Sequence, residues 1–188
     1  MHGPAQAGWL LVALCAATGS YCLLRMRSRI EAQRRTAGGE ALMGFGMALM
    51  ALPAAVLAPP RWAWLGYAAV FGAAALRTLW AARRNRHHLH HLVGACAMVY
   101  MAAAMAATPT AHAGHGGGGG TPALTGALLL YFAGYVLVSG VRLLPAPVLA
   151  TAEGGGGGTV TGWADRAELA MVCRLSMGIA MIAMLLTL

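Results

Sequence analysis

Six apolar stretches, each close to the length a helix needs to cross a bilayer, run through this chain at about 7–24, 41–58, 62–82, 90–108, 123–144 and 167–188. Hydrocarbon offers no partner to backbone N–H and C=O groups, so a lone segment crosses it as a helix of about 20 mostly apolar residues. Punctuation separates the stretches. Arg25, Arg27 and Arg29 follow the first, Pro59-Pro60 closes the second, and Arg83-Arg84 closes the third. Pro109 with a glycine run closes the fourth, and Pro145 closes the fifth. Pro53 falls inside the second stretch and predicts a kink there. Charged residues make up 10% of the 188 and hydrophobic ones 59%, against about 25% charged in soluble domains. A chain this short cannot bury so much apolar surface in its own core. The expectation is an all-α fold, an integral membrane bundle of six transmembrane helices forming a single domain over residues 1–188.

The basic residues are all arginine, and their placement sets an orientation. Arg25, Arg27, Arg29, Arg34, Arg35, Arg83, Arg84, Arg86 and Arg166 fall on one side, and Arg61 alone on the other. Because arginine is retained on the cytoplasmic side of short loops, both termini are expected outside a bacterial plasma membrane. The first stretch has its arginines after the apolar run, the order of an uncleaved helix rather than a signal peptide. The net charge of +8 then serves topology and contact with anionic headgroups, at about 1 kcal/mol per residue near the surface. Nucleic acid is not an expected partner. The bilayer, its cytoplasmic headgroups and a second membrane protein are. Trp9, Trp62, Trp64 and Trp80 stand near expected boundaries, as an interfacial belt requires. The glycine-rich segments 112–122 and 153–159 read as loops, since neither precedes the G-K-[ST] ending of a phosphate cradle.

Cys15, Cys22, Cys96 and Cys173 all lie in apolar runs without C-x-x-C spacing, so they read as small hydrophobes rather than a disulfide or zinc framework. No serine stands in a G-x-S-x-G setting and no carboxylate pair falls at one depth, so no catalytic centre is expected. Haem would want two axial ligands on facing helices, whereas His87, His88, His90 and His91 crowd one helix end.

Helical spacing, which puts residues three, four and seven apart on one face, reveals three methionine stripes. Glu40, Met43, Met47 and Met50 form one, and His91, Met98, Met101 and Met105 another. Arg174, Met177, Met181 and Met184 form the third, and His87 and His88 extend the second by a turn. Thioether sulfur suits Cu(I) and imidazole accepts copper or zinc. The functional reading is thus a soft-metal path, copper first, through His87, His88, His91, Met43, Met47, Met50, Met98, Met101 and Met105, with His112 and His115 at the outer end. The same stripes are what a helix–helix seam produces when flexible methionine fills gaps between alanine-rich helices. Gly44 with Ala48, and Ala102 with Ala106, are small-residue pairs suited to close helix approach.

Charges inside the spans are the sharper signal. Arg174 falls nearly two turns into the sixth stretch, where an arginine costs about 2.5–3.5 kcal/mol on insertion scales. It therefore either takes a partner, with Glu40, opening the second stretch above a matching methionine stripe, as the first candidate, or snorkels to the headgroups. Arg77 and Arg142 lie near span ends, where snorkelling to phosphate suffices.

The segments EALMGFGMALM at 40–50 and HHLHHLVGACAMVYM at 87–101 resemble an uncharacterised actinobacterial integral-membrane family, a domain of unknown function rich in histidine and methionine. The likeness runs loosely over the whole chain. It implies a small bacterial multi-span membrane protein and supplies no activity. Relatives in that family often carry a histidine near the start of the second span, where this chain has Glu40, and that departure weakens any carry-over of a metal site. Two functions follow from the residues: binding or transfer of a soft transition metal, or a non-catalytic structural or assembly subunit packed against another membrane complex. The inner arginines add a third, the handling of lipid.

Overall fold

The computed structural model describes residues 3–28, 31–53, 56, 59–82, 89–107, 120–143 and 167–188. These residues form six helices and no strand: α1 (Gly3–Arg25), α2 (Glu31–Met50), α3 (Arg61–Ala82), α4 (Leu89–Ala107), α5 (Pro122–Leu143) and α6 (Ala167–Leu185). α1, α4 and α5 are long and apolar enough to cross a membrane, and the apolar part of α6, Leu169–Leu185, is shorter. The loops expected at 112–122 and 153–159 lie outside the described residues except for 120–122.

Local chemistry sets the helix ends. The carbonyl of Pro60 accepts the Ala63 N–H at 2.9 Å, so the Pro59-Pro60 break doubles as the start of α3. Pro122 occupies the first position of α5, where its fixed φ suits the helix and its missing N–H costs nothing. Thr121 precedes it, and its carbonyl takes the Thr125 N–H at 3.0 Å. At the same end of α3, Arg61 Nε donates to the Ala106 carbonyl at 3.0 Å, satisfying one of the orphan acceptors in the last turn of α4.

The second helix differs from its expected span. It begins ten residues earlier than the apolar run, at Glu31, and stops at Met50. Pro53 therefore does not kink a helix but follows one. A proline there would clash with the carbonyl four residues back and has no N–H to give, so the chain leaves the helix through a turn at Ala51 and Leu52. Glu40 consequently stands mid-helix, not at a helix mouth.

Neighbours in sequence pack as antiparallel pairs: α1 with α2, α3 with α4, and α5 with α6. In the first pair a β-carbon added to Gly44 would lie 2.8 Å from the Gly19 Cα. Only glycine permits that crossing, which brings two backbones together without side chains between them. In the second, Tyr67 faces Met98, its hydroxyl 3.9 Å from the sulfur. α2 also runs alongside α4, with Met43 filling the notch left by Gly94, where a β-carbon would meet the Met43 sulfur at 3.0 Å. The α4–α5 seam is aromatic. The His90 ring stacks on Tyr135 with centroids 3.6 Å apart, and Tyr100 Oη lies 2.7 Å from Thr125 Oγ1. These pairings bring the last turn of α1, the first half of α2, the last turns of α3 and the starts of α4 and α6 to one end, the arginine-rich one.

Candidate functional site

The core between the helices is lined by sulfur. Met43, Met47, Met98, Met101, Met177, Met181 and Met184 join one buried cluster with Cys15, Cys22, Phe71 and Phe132. Met50 packs partly buried against it, and Met105 is exposed. The three stripes thus turn inward together. Met98 sulfur accepts the Tyr67 hydroxyl, and Met43 fills the Gly94 notch, so two of these side chains already have a packing role. Among the described residues no three His, Cys, Asp or Glu side chains gather as a metal-ligand set. His87, His88, His112 and His115 lie outside the described residues.

One polar assembly interrupts this core, centred on Glu40, which is 0% exposed. Arg25 Nη1 donates to Glu40 Oε2 at 2.6 Å, and Arg174 Nε donates to Oε1 at 2.7 Å. His91 Nε2 lies 3.8 Å from Oε1. The Cys22 thiol points to Oε2 at 3.7 Å. The structure therefore brings Glu40 and Arg174 together and adds Arg25, which a count of flanking charges assigns to topology alone. The signal for it was present: Thr18, Cys22 and Arg25 recur at four and three, a polar stripe on one face of α1.

The electrostatics are lopsided. Two guanidinium groups and one carboxylate leave an excess positive charge, and the Arg25 side chain is 2% exposed against 39% for Arg174. Arg25 Nε is buried with no hydrogen-bond partner among the described residues. Removing the carboxylate would leave Arg25 as an uncompensated buried cation, whereas Arg174 can turn toward the surface. The hub thus ties four helices, α1, α2, α4 and α6, through a single side chain.

Beside the hub, on the other face of His91, lies a cavity of about 460 Å³ between α2, α3 and α4. Such a volume falls within the roughly 300–1,000 Å³ of ordinary ligand sites. Its lining is graded along the helices. Thr36, Gly38, Gly39, Arg77, Thr78, His91 and the small Ala81 surround the arginine-rich end, and Leu42, Met43, Phe71, Ala74 and Ala95 line the deeper part. Gly39, Leu42 and Arg77 are exposed, so the cavity is a groove open at the side of the bundle. A β-carbon on Gly39 would meet nothing within 4 Å, which leaves the approach to the groove unobstructed. Sequence reasoning missed the groove, because its lining is spread over three helices with no shared motif.

No curated protein and no solved structure matches this chain. A family described as Domain of unknown function (DUF5134) matches over residues 32–188, and the chain belongs to it. Glu40, His91, Arg174 and the groove fall within the matched segment, whereas Cys22 and Arg25 precede it.

Proposed function

We propose, from geometry because the family brings no activity with it, that all six helices cross a membrane and that the groove binds an anionic amphiphile from the leaflet at the arginine-rich end. At about 1.5 Å per residue, helices of 19 to 23 residues span about 30 Å, the thickness of the hydrocarbon core. The polar groups of the less apolar helices find partners inside the protein: Glu40 in its ion pairs, and the Thr78 hydroxyl on the Ala74 carbonyl at 2.6 Å. The arginine asymmetry supports a cytoplasmic location for that end.

The observation that carries the ligand class is the grading of the groove, polar at the leaflet surface and apolar below it. An acyl chain gains little hydrophobic energy on moving from lipid to protein, because lipid tails are as apolar as the groove wall. The apolar part supplies fit, and discrimination falls to the head. Arg77 supplies a cation at the mouth, worth about 1 kcal/mol against an anionic surface, and His91 lines the groove with it. The test is native mass spectrometry of the detergent-purified chain mixed with phosphatidylglycerol or phosphatidylcholine vesicle lipid. Wild type is expected to retain phosphatidylglycerol preferentially, Gly39→Leu to lose most bound lipid, and Arg77→Gln to lose the preference for the anionic head. Equal retention of both lipids by wild type would overturn the proposal.

A second reading, binding or transfer of copper, is favoured by the convergence of seven methionines from α2, α4 and α6 in one buried cluster. Thioether sites suit Cu(I). Metal analysis of the purified chain tests it: if the Met98→Leu/Met101→Leu double variant holds the same metal stoichiometry as wild type, the reading fails.

A further inference from the structure

We infer that Cys22 and Cys173 are a disulfide-forming pair, a modification site through which a small disulfide oxidant pins α1 to α6 beside Glu40. The register of the two helices carries the argument. Thr18 Oγ1 and Ser176 Oγ lie 3.3 Å apart across the α1–α6 seam. α1 and α6 are antiparallel, so one turn toward the arginine-rich end brings the residue four after Thr18 opposite the residue three before Ser176. Those residues are Cys22 and Cys173, whose thiols are neighbours across the seam. A disulfide needs β-carbons about 3.5–4.5 Å apart. Helices that bring two γ-oxygens to 3.3 Å one turn away put that separation within reach of the two cysteines. The other two cysteines have no such partner position: Cys15 is buried two turns deeper, and Cys96 is exposed on α4.

Access sets the order of events. Cys22 is 0% exposed, whereas Cys173 is partly exposed. The Cys173 sulfur therefore attacks one sulfur of the oxidant, breaks its S–S bond and expels one thiol. Cys22 then attacks the Cys173 sulfur of the mixed disulfide, forms the Cys22–Cys173 bond and expels the second thiol. Each attacking thiol gives up its proton and each departing sulfur takes one, so two protein thiols become one disulfide while the oxidant is reduced to two small thiols. Closure also removes the thiol hydrogen that Cys22 directs at Glu40 Oε2, leaving that oxygen to Arg25.

The test uses the full chain in detergent, in a Cys15→Ala/Cys96→Ala background, treated with 4,4′-dithiodipyridine, a small disulfide whose released thiol absorbs light. The expected result is two released thiols per chain, no retained adduct, a mass lower by two hydrogen atoms, and a peptide linking residues 22 and 173 that reductant cleaves. With Cys22→Ala or Cys173→Ala added, the remaining cysteine can at most retain the oxidant as an adduct. The natural chain, mapped the same way, is expected to show the same link and a higher Tm after oxidation. Adducts retained on both cysteines, links between chains, or two thiols that survive an excess of oxidant would each overturn the inference.

Discussion

Arg25 Nη1 stands 2.6 Å from Glu40 Oε2, joining the last turn of α1 to the middle of α2 with both side chains closed off from the surface. A pair of this kind is weak evidence for stability, since desolvating two ions offsets much of their attraction. Its meaning lies in what happens when one partner is missing. Arg174 reaches the other carboxylate oxygen at 2.7 Å from a half-open position, so the two arginines are not equivalent.

Glu40→Ala is expected to destabilise the fold by about 3–5 kcal/mol, the usual cost of leaving a buried charge uncompensated. Replacing Arg25 and Glu40 together by methionine should recover most of that loss, because the unpaired ion goes with its partner. Arg77→Ala, at an exposed position, is the control and should stay within about 0.5 kcal/mol. Unfolding of the purified variants in mixed micelles reads all three.

Gly44→Val is expected to push α1 off α2. Its first added carbon would lie 2.8 Å from the Gly19 Cα and 2.9 Å from the Gly19 nitrogen, backbone atoms that cannot swing away. Overpacking of this sort costs about 1–3 kcal/mol. Gly72→Ala meets nothing within 4 Å and should be neutral, or stabilising by about 0.5–1 kcal/mol through helix propensity. Thermal unfolding followed by circular dichroism separates the two outcomes.

His90→Ala is expected to loosen the α4–α5 seam by about 0.5–1.5 kcal/mol, the usual worth of an aromatic pair beyond its area. The His90 ring stacks on Tyr135 at 3.6 Å and meets Phe132 edge-on at 6.1 Å. His90→Phe retains both ring contacts and should recover most of the loss. Hydrogen exchange resolved to α5 peptides is the measurement, with faster exchange expected in the alanine variant alone. The adjacent His91 turns instead to Glu40, so His91→Ala should leave α5 exchange unchanged.

The six helices are legible in the sequence because apolar length and Arg, Pro and Gly punctuation carry that information locally. α2 is half hidden: residues 31–39 are mostly polar or small, and only the apolar part of the helix advertises itself. The Glu40–Arg174 contact could be anticipated from the cost of an arginine inside a span and from matching stripes on two helices. Arg25 could not be separated from Arg27 and Arg29 by counting charges, although its spacing from Cys22 and Thr18 marks it out. The Cys22–Cys173 contact has no local signature, since its two halves sit at opposite ends of the chain and meet only through the α1–α6 register. The groove is hidden for the same reason.

The order in which the helices are made bears on Glu40. α1 is made first and carries Arg25, so the carboxylate of α2 finds one counter-ion as soon as that hairpin closes. Its second oxygen must wait until α6, made last, delivers Arg174. A nascent chain stalled before α6 would pair Glu40 with Arg25 but leave Oε1 without its Arg174 donor, and that unfinished contact is what a quality-control protease could recognise.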